Sequence, residues 1–287
     1  MAASDHLKAA PARIDAHQHF WKYDPMAHSW ISDEMYAIRR DFAPSDLQPL
    51  LAGAGFDGCV TVQVNQTEDE NAVMLEQAAK HDFIKGIVGW VDLQDHRVEE
   101  RLAAYREYPL MKGFRHILQG ERDRALMLKP AFKRGIASLT KYGFTYDILI
   151  YPDQLGYTRE FVAAFPSQPF VIDHIAKPHI KDRYITEEWK EAIRAVAVYE
   201  NVYCKISGLV TEADWGGWKQ EHLRPYMDTV VEAFGPARIL FGSDWPVCLL
   251  AATYQQVFNI ADEYFAAFSA DERAAFFGGN AVKFYHL

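Results

Sequence analysis

The stretch RIDAHQHFW, Arg13 to Trp21, places His17 and His19 on either side of one glutamine, at the end of a short apolar run. On an extended strand, residues i and i+2 point to the same face, so both imidazoles can enter one site. Two neutral imidazoles can hold a metal ion, and they can equally donate to a developing oxyanion or fill a hydrogen-bonded core. In a chain with 11 histidines such a pair is near chance, and its meaning depends on what else converges on it.

Several other apolar runs also end in polar groups. RILFGSD closes on Asp244, FVIDH on Asp173 and His174, and GCVTVQV on Gln63. A carboxylate at the end of a buried strand needs partners or it costs several kcal/mol. This marks Asp244 as a general base or a metal ligand, with a turn-capping role as its structural alternative. Asp173 alternates to the side opposite His174 and reads as structural. The run LMKGFRHI carries Lys112, Arg115 and His116. The Arg115 guanidinium could fork onto a carboxylate or carbonyl oxygen, or pair with a barrel acid such as Asp147. Lys112 and Arg115 are three residues apart, so a regular strand cannot aim both inward. Trp21, Trp30, Trp90, Trp215 and Trp245 could stack on the apolar face of a sugar ring, with core packing the alternative for each.

These residues need elements to position them. Eight short runs (RIDAH, GCVTVQV, KGIVGWV, LMKGFRHI, TYDILIY, FVIDH, VYCKIS and RILFGSD) have the make-up of strands buried on both faces. Between them lie helical patterns. Phe132, Ile136 and Leu139 form one stripe, closed by Gly143, and Trp189, Ile193 and Val196 form another. Leu223, Met227, Val230 and Phe234 form a third, and Thr67/Glu70 and Ser269/Glu272 have capping-box spacing. Alternating strands and helices predict a (β/α)8 barrel over residues 13–287 as a single domain, with a doubly wound open sheet as the other solution. In such a barrel the chemistry gathers at the C-terminal strand ends. Residues 20–43, aromatic and aperiodic, read as an extended loop over that mouth, and residues 1–12 as a flexible N-terminal tail.

Composition narrows the partners. The chain has 287 residues, 49% hydrophobic and 24% charged, with a net charge of −9 and no basic block. Nucleic acid and anionic membranes are therefore not expected partners, and no apolar run is long enough to span a bilayer. Cys59, Cys204 and Cys248 are widely spaced and odd in number, which excludes a disulfide framework and fits a reducing cytoplasm. A homo-oligomer stays open.

RIDAHQHFW, KGFRHILQ, FVIDHIAKP, CKISGLVTEADW, LFGSDWPVCLLA and the closing GGNAVKFYHL together resemble the lactonase branch of the amidohydrolase superfamily, nearest to the sugar-acid lactonases acting on L-fucono- and L-rhamnono-lactones. The resemblance implies a distorted (β/α)8 barrel that hydrolyses a small neutral sugar lactone. It implies catalytic roles for Asp244, His174, His17, His19, Arg115 and His116. Trp21, Gln63, Trp90, Lys112, Trp215 and Trp245 are the candidate substrate contacts. The fifth strand, TYDILIYP, has no histidine, which argues against a two-metal centre. His17, His19, His174 and Asp244 could form a single site suited to zinc. No strict metal requirement is expected, because a lactone ester is reactive enough for histidine and arginine donors to polarise it. The alternatives are a metal-dependent decarboxylase of an aromatic acid and a non-catalytic sugar-binding barrel.

Overall fold

The computed structural model describes residues 12–287, so the expected tail lies outside the described residues but for Ala12. All eight anticipated strands form: β1 Ile14–Gln18, β2 Gly58–Val62, β3 Ile84–Gly89, β4 Met111–Ile117, β5 Thr145–Leu149, β6 Phe170–Ile172, β7 Val202–Ile206 and β8 Ile239–Phe241. They make one parallel sheet in sequence order. The sheet curls until its edges meet. Asp244 N donates to His17 O at 2.8 Å, and His19 N to Trp245 O at 2.7 Å. This closure makes the architecture a (β/α)8 barrel rather than an open sheet.

Helices α1 (Pro44–Gly53), α2 (Glu68–Lys80), α3 (Val98–Tyr105), α4 (Pro130–Tyr142), α5 (Leu155–Ala163), α6 (Glu187–Ala197), α7 (Gln220–Phe234) and α8 (Tyr254–Tyr264) lie between or after the strands. They are followed by α9 (Ala270–Ala274) and α10 (Asn280–Tyr285). The stripes read from spacing are the buried ones: Phe132, Ile136 and Leu139 on α4, Trp189, Ile193 and Val196 on α6, and Leu223, Met227, Val230 and Phe234 on α7. Each such side chain contributes roughly 1.5–3 kcal/mol when fully buried. Gly143 closes α4 in the left-handed region. Ser269 and Glu272 form the expected capping box. Thr67 caps α2, but Glu70 does not reach back to it. Its carboxylate instead accepts from Val64 N at 2.7 Å and Asn65 N at 2.6 Å, tethering the loop after β2.

The barrel interior is layered. At the N-terminal end Ile14, Ala16, Val60, Val62, Val88, Val171 and Leu240 pack with Phe284 and Tyr285 of α10, which plug that mouth. Above them sits a buried charged layer of Arg115, Asp147, Asp173 and Lys205. The histidines and Asp244 form the next layer up, at the C-terminal mouth. Residues 20–43 fold back over this mouth, tied at their base by Trp21 N to Phe42 O and Phe42 N to Trp21 O at 3.0 and 2.8 Å.

Candidate active site

His17 reaches the site through an irregularity in β1. Ile14 and Ala16 face inward, so strict alternation would turn His17 and His19 away from the lumen. The register against β2 shifts between Asp15 and Gln18, and this bulge re-aims the strand. Gln18 now points outward, donating to Thr61 Oγ1 at 2.7 Å, and the two imidazoles point inward with Nε2 atoms 3.2 Å apart. Asp244 follows β8 with a positive φ of 56° and faces them. Its Oδ1 lies 3.4 Å from His19 Nε2, 3.9 Å from His17 Nε2 and 3.8 Å from His174 Nε2.

His174 arrives by another irregular device. Residues 174–177 all have positive φ (53°, 50°, 60° and 49°), although none is glycine. Such residues cost about 1–3 kcal/mol each and persist only where the surroundings over-determine them. This left-handed turn folds the His174 ring into the mouth, where Nδ1 meets Ser207 Oγ at 2.9 Å. Gly208 leaves room for the ring: a Cβ there would sit 2.8 Å from His174 Nδ1. The turn also corrects one expectation. Asp173 is not on the opposite side from His174. It lies in the lumen, with Oδ1 3.2 Å from His17 Nδ1 and Oδ2 accepting from Arg115 Nη1 at 3.0 Å.

Electrostatically the mouth sets carboxylates held low against His17 and His174, whose pKa values are lowered. Burial drives His17 well below the usual imidazole range and takes His174 down to about 4. Burial alone would raise Asp244, but His174, His19 and His17 beside it hold its carboxyl below the ordinary value. Asp173 is likewise held well down against its burial, by Lys205, His17 and Arg115.

The donor set fits a single divalent cation. His19 Nδ1 lies 2.7 Å from Val62 O, and a carbonyl can only accept. The His19 proton is therefore on Nδ1, and its Nε2 lone pair faces His17. Two of the three separations, Nε2···Nε2 at 3.2 Å and His19 Nε2···Asp244 Oδ1 at 3.4 Å, lie near the edges of a tetrahedron with bonds of about 2.0–2.1 Å, which are roughly 3.3–3.4 Å long, and the third, His17 Nε2···Asp244 Oδ1, is longer at 3.9 Å. His17, His19 and Asp244 would hold the ion. His174 Nε2, 3.8 Å from Asp244, stands at its edge.

A cavity of about 430 Å³ opens above these groups, within the range of small-ligand sites. Trp21, Trp30 and Trp215 line it, joined by Tyr151 and Lys177. Gln119 and Thr211 also line it, and their Oε1 and Oγ1 atoms are buried without a partner among the described residues.

Several candidate contacts lie elsewhere. Lys112 sits near the start of β4, away from the mouth, and donates to His286 O at 2.8 Å. His116 shares its outward parity: its ring packs on Phe132 and its Nε2 meets Glu121 Oε1 at 2.9 Å. Of the three polar groups on β4, only Arg115 turns into the lumen. It lines the cavity, with Nη1 bound to Asp173 and Nη2 to Gln63 O at 2.5 Å, while its Nε is buried without a partner among the described residues. Gln63 braces Arg115 in return, its Nε2 donating to Arg115 O at 3.1 Å, and does not line the cavity. Trp245 alternates outward from Asp244 and packs edge-on against Phe20 and Phe42. Trp90 does not line the cavity either; its backbone N and O are held by Asn71. Sequence reasoning gave no site role to Lys205, Asp147 and Asp173. Lys205 Nζ lies 2.5 Å from Asp147 Oδ2 and 3.0 Å from Asp173 Oδ1. The available signal was a lysine and an aspartate inside otherwise apolar strands, which only pairing makes tolerable.

Comparison with known proteins agrees with this geometry. Residues 14–287 match the Amidohydrolase family. An L-fucono-1,5-lactonase from Burkholderia multivorans is 39% identical over 285 residues, covering 96% of each chain. A second, from Burkholderia ambifaria, is 36% identical over 284 residues, again covering 96% of each. A crystal structure of a B. multivorans amidohydrolase with bound zinc superposes with a TM-score of 0.93 at 39% identity, covering 96% of this chain and 99% of that one. The chain belongs to the amidohydrolase family.

Proposed function

We propose that the site opens a sugar-acid lactone, of the L-fucono-1,5-lactone kind, to its aldonic acid. One observation carries this: three histidines and an ionised aspartate converge beneath a cavity walled by tryptophans. A lactone ring set on that floor has its carbonyl against the histidines and its hydroxyls against the walls. The two L-fucono-1,5-lactonases described above support the sugar-acid class.

In this reading Asp244 orients a water beside the carbonyl and takes its proton as the hydroxyl adds. General-base catalysis of this kind is typically worth about 10²–10⁴-fold. His174, free to donate from Nε2 when Nδ1 accepts from Ser207, faces the developing oxyanion. Losing one preorganised donor of that sort costs on the order of 10²–10³ in rate. The tetrahedral adduct collapses with cleavage of the ring C–O bond, and Asp244 returns its proton to the leaving alkoxide. A divalent ion, zinc by the nitrogen and oxygen donor set, would supply Lewis-acid polarisation of the carbonyl when held by His17, His19 and Asp244. Gln119 and Thr211, polar side chains in the cavity lining, read ring hydroxyls.

The decarboxylase reading lacks support in the cavity. An aromatic carboxylate needs a cation to meet it, yet the Arg115 guanidinium is tied to Asp173, and Lys177 lies 3.3 Å from Glu212. Three free, buried cysteines support a reducing compartment, and no helix among the described residues is long and apolar enough to cross a membrane. The test is a panel of aldonolactones read by a pH indicator, with chelator and with zinc restored. Acid release from 6-deoxy aldonolactones is expected. Carbon dioxide from a hydroxybenzoate, or no acid from any lactone, would overturn the reading.

A further inference from the structure

Two cations line the cavity, Arg115 and Lys177, and each meets a carboxylate. Arg115 Nη1 lies 3.0 Å from Asp173 Oδ2, and Lys177 Nζ lies 3.3 Å from Glu212 Oε1. The pairs differ in one respect. Asp173 is fully buried in the charged layer below, whereas Glu212 lines the cavity beside its lysine. The Lys177–Glu212 pair is built into the wall, with side chains only 18% and 21% exposed. Lys177 is the last of the four left-handed residues, and its N–H donates to His174 O at 2.8 Å. Glu212 N donates to Gly208 O at 3.2 Å, and Glu212 O accepts from Lys181 N at 2.9 Å. That last bond ties the loop after β6, which carries the lysine, to the loop after β7, which carries the glutamate. A part-exposed ion pair stabilises a fold little, so stability alone does not account for its place in the wall.

Ring opening changes the charge of what the cavity holds. Water adds to the carbonyl, the ring C–O bond breaks, and the hydroxy acid formed gives up a proton to solvent at neutral pH. The substrate is neutral and the product carries one negative charge. A lysine without a counter-charge would hold that new carboxylate by a charge-assisted hydrogen bond and gain far less from the lactone. Lys177 stands three residues beyond His174, and its charge opposes protonation of that ring, so it acts on the floor where the carboxylate forms. We propose that Glu212 is a specificity-determining residue: by neutralising Lys177 in the cavity wall, it lets the anionic aldonate leave while the neutral lactone still binds. This inference rests on the lactonase reading of the site. An ammonium has three N–H donors, so Lys177 paired with Glu212 can still meet a ring hydroxyl. What the pair withholds is net charge, and Asp244 at the floor adds a like charge against the same product.

The test uses the whole chain, with initial rates on L-fucono-lactone and sodium L-fuconate added as inhibitor. The readout is the ratio of Ki for the aldonate to KM for the lactone. In the parent this ratio should exceed one, and a Ki below KM overturns the proposal. In Glu212→Gln the lysine loses its counter-charge, and the ratio should fall about 5–50-fold, the range for a charge-assisted contact screened at a part-exposed site. Raising salt from about 0.05 to 0.5 M should undo much of that fall. Glu212→Gln combined with Lys177→Gln should return the ratio to near the parent's. A merely structural role would lower the melting temperature and move Ki and KM together. A Glu212→Gln ratio within about twofold of the parent's, or a fall that persists in the double variant, refutes the assignment. If Glu212→Gln does not fold, Lys177→Gln alone decides. It leaves Glu212 facing the product, so the ratio should rise, and an unchanged or lower ratio counts against the pair. Absence of acid release from the lactone in the parent overturns the lactonase reading and this inference with it. Acid release with an unmoved ratio overturns this inference alone.

Discussion

Replacing Gly208 by alanine perturbs the site without removing any chemical group. The added methyl would lie 2.8 Å from His174 Nδ1, 2.9 Å from its Cγ and 3.0 Å from its Cβ. Ordinary contact begins near 3.4 Å, so the ring must retreat by about 0.6 Å or the β7 end must shift by as much. Gly208 also has a φ of +67°, where an alanine costs about 1–2 kcal/mol. A chain of this length has an unfolding entropy of about 0.6 kcal/mol/K, so the melting temperature should fall by about 2–3 °C. The kinetic effect should be larger. Misplacing a reacting group by about 1 Å can cost 10²-fold, and a retreat of this size breaks the 2.9 Å contact to Ser207. Turnover of the preferred lactone should fall about 10–100-fold, with KM changed less. Ser207→Ala is the control, since it removes the hydrogen bond without the push and should cost less than Gly208→Ala. The assays are calorimetry and initial rates on the same preparations. A Gly208→Ala enzyme that melts a few degrees early yet turns over within twofold of the parent would refute a catalytic position for the His174 ring.

Asp244→Asn should lower turnover at least a hundredfold with its circular dichroism spectrum unchanged; near-normal rates would remove Asp244 as the base. Gln119→Leu and Thr211→Val should each raise KM about 5–50-fold for a polyhydroxylated lactone, the cost of a lost buried hydrogen bond, and leave KM for unsubstituted δ-valerolactone within twofold. Equal effects on both lactones would mean that these oxygens do not read hydroxyls. Glu70, pushed up to about 7 by burial, binds a proton in the native state that the unfolded chain releases near 4.5. Its contribution is thus fully present below pH 4.5 and lost as pH rises through 7. Relative to Glu70→Gln, the parent should lose up to about 3 kcal/mol between those values. Paired urea titrations at pH 4.5 and 8 check this, and a difference that does not change with pH refutes it.

Much of the fold was legible because both-face burial writes itself into short Val/Ile/aromatic runs. The helix stripes at Phe132–Leu139 and Leu223–Phe234 needed only spacing. His17, His19, His174 and Asp244 were legible as strand-end polar groups. The direction in which they point was not. His17 depends on a bulge, and His174 on four consecutive left-handed residues, and neither has a local sequence mark such as glycine. Alternation did decide Lys112, His116 and Trp245, but only once a neighbour of known direction was available, Arg115 on β4 and Asp244 after β8. The pairing of Lys205 with Asp147 was not legible, for a different reason. A buried charge makes sense only with its partner, and here the partners come from strands 58 residues apart in sequence.

The seam where β1 meets β8 makes catalysis a reporter of ring closure. The candidate site residues stand on opposite banks of that seam, His17 and His19 on one and Asp244 on the other, joined by two backbone hydrogen bonds. Parting these edges by a few ångströms would disperse the site while every helix and most strand pairs stay intact. Activity should therefore be the last property gained when the chain refolds, and the first lost on gentle heating, ahead of any change in helix content.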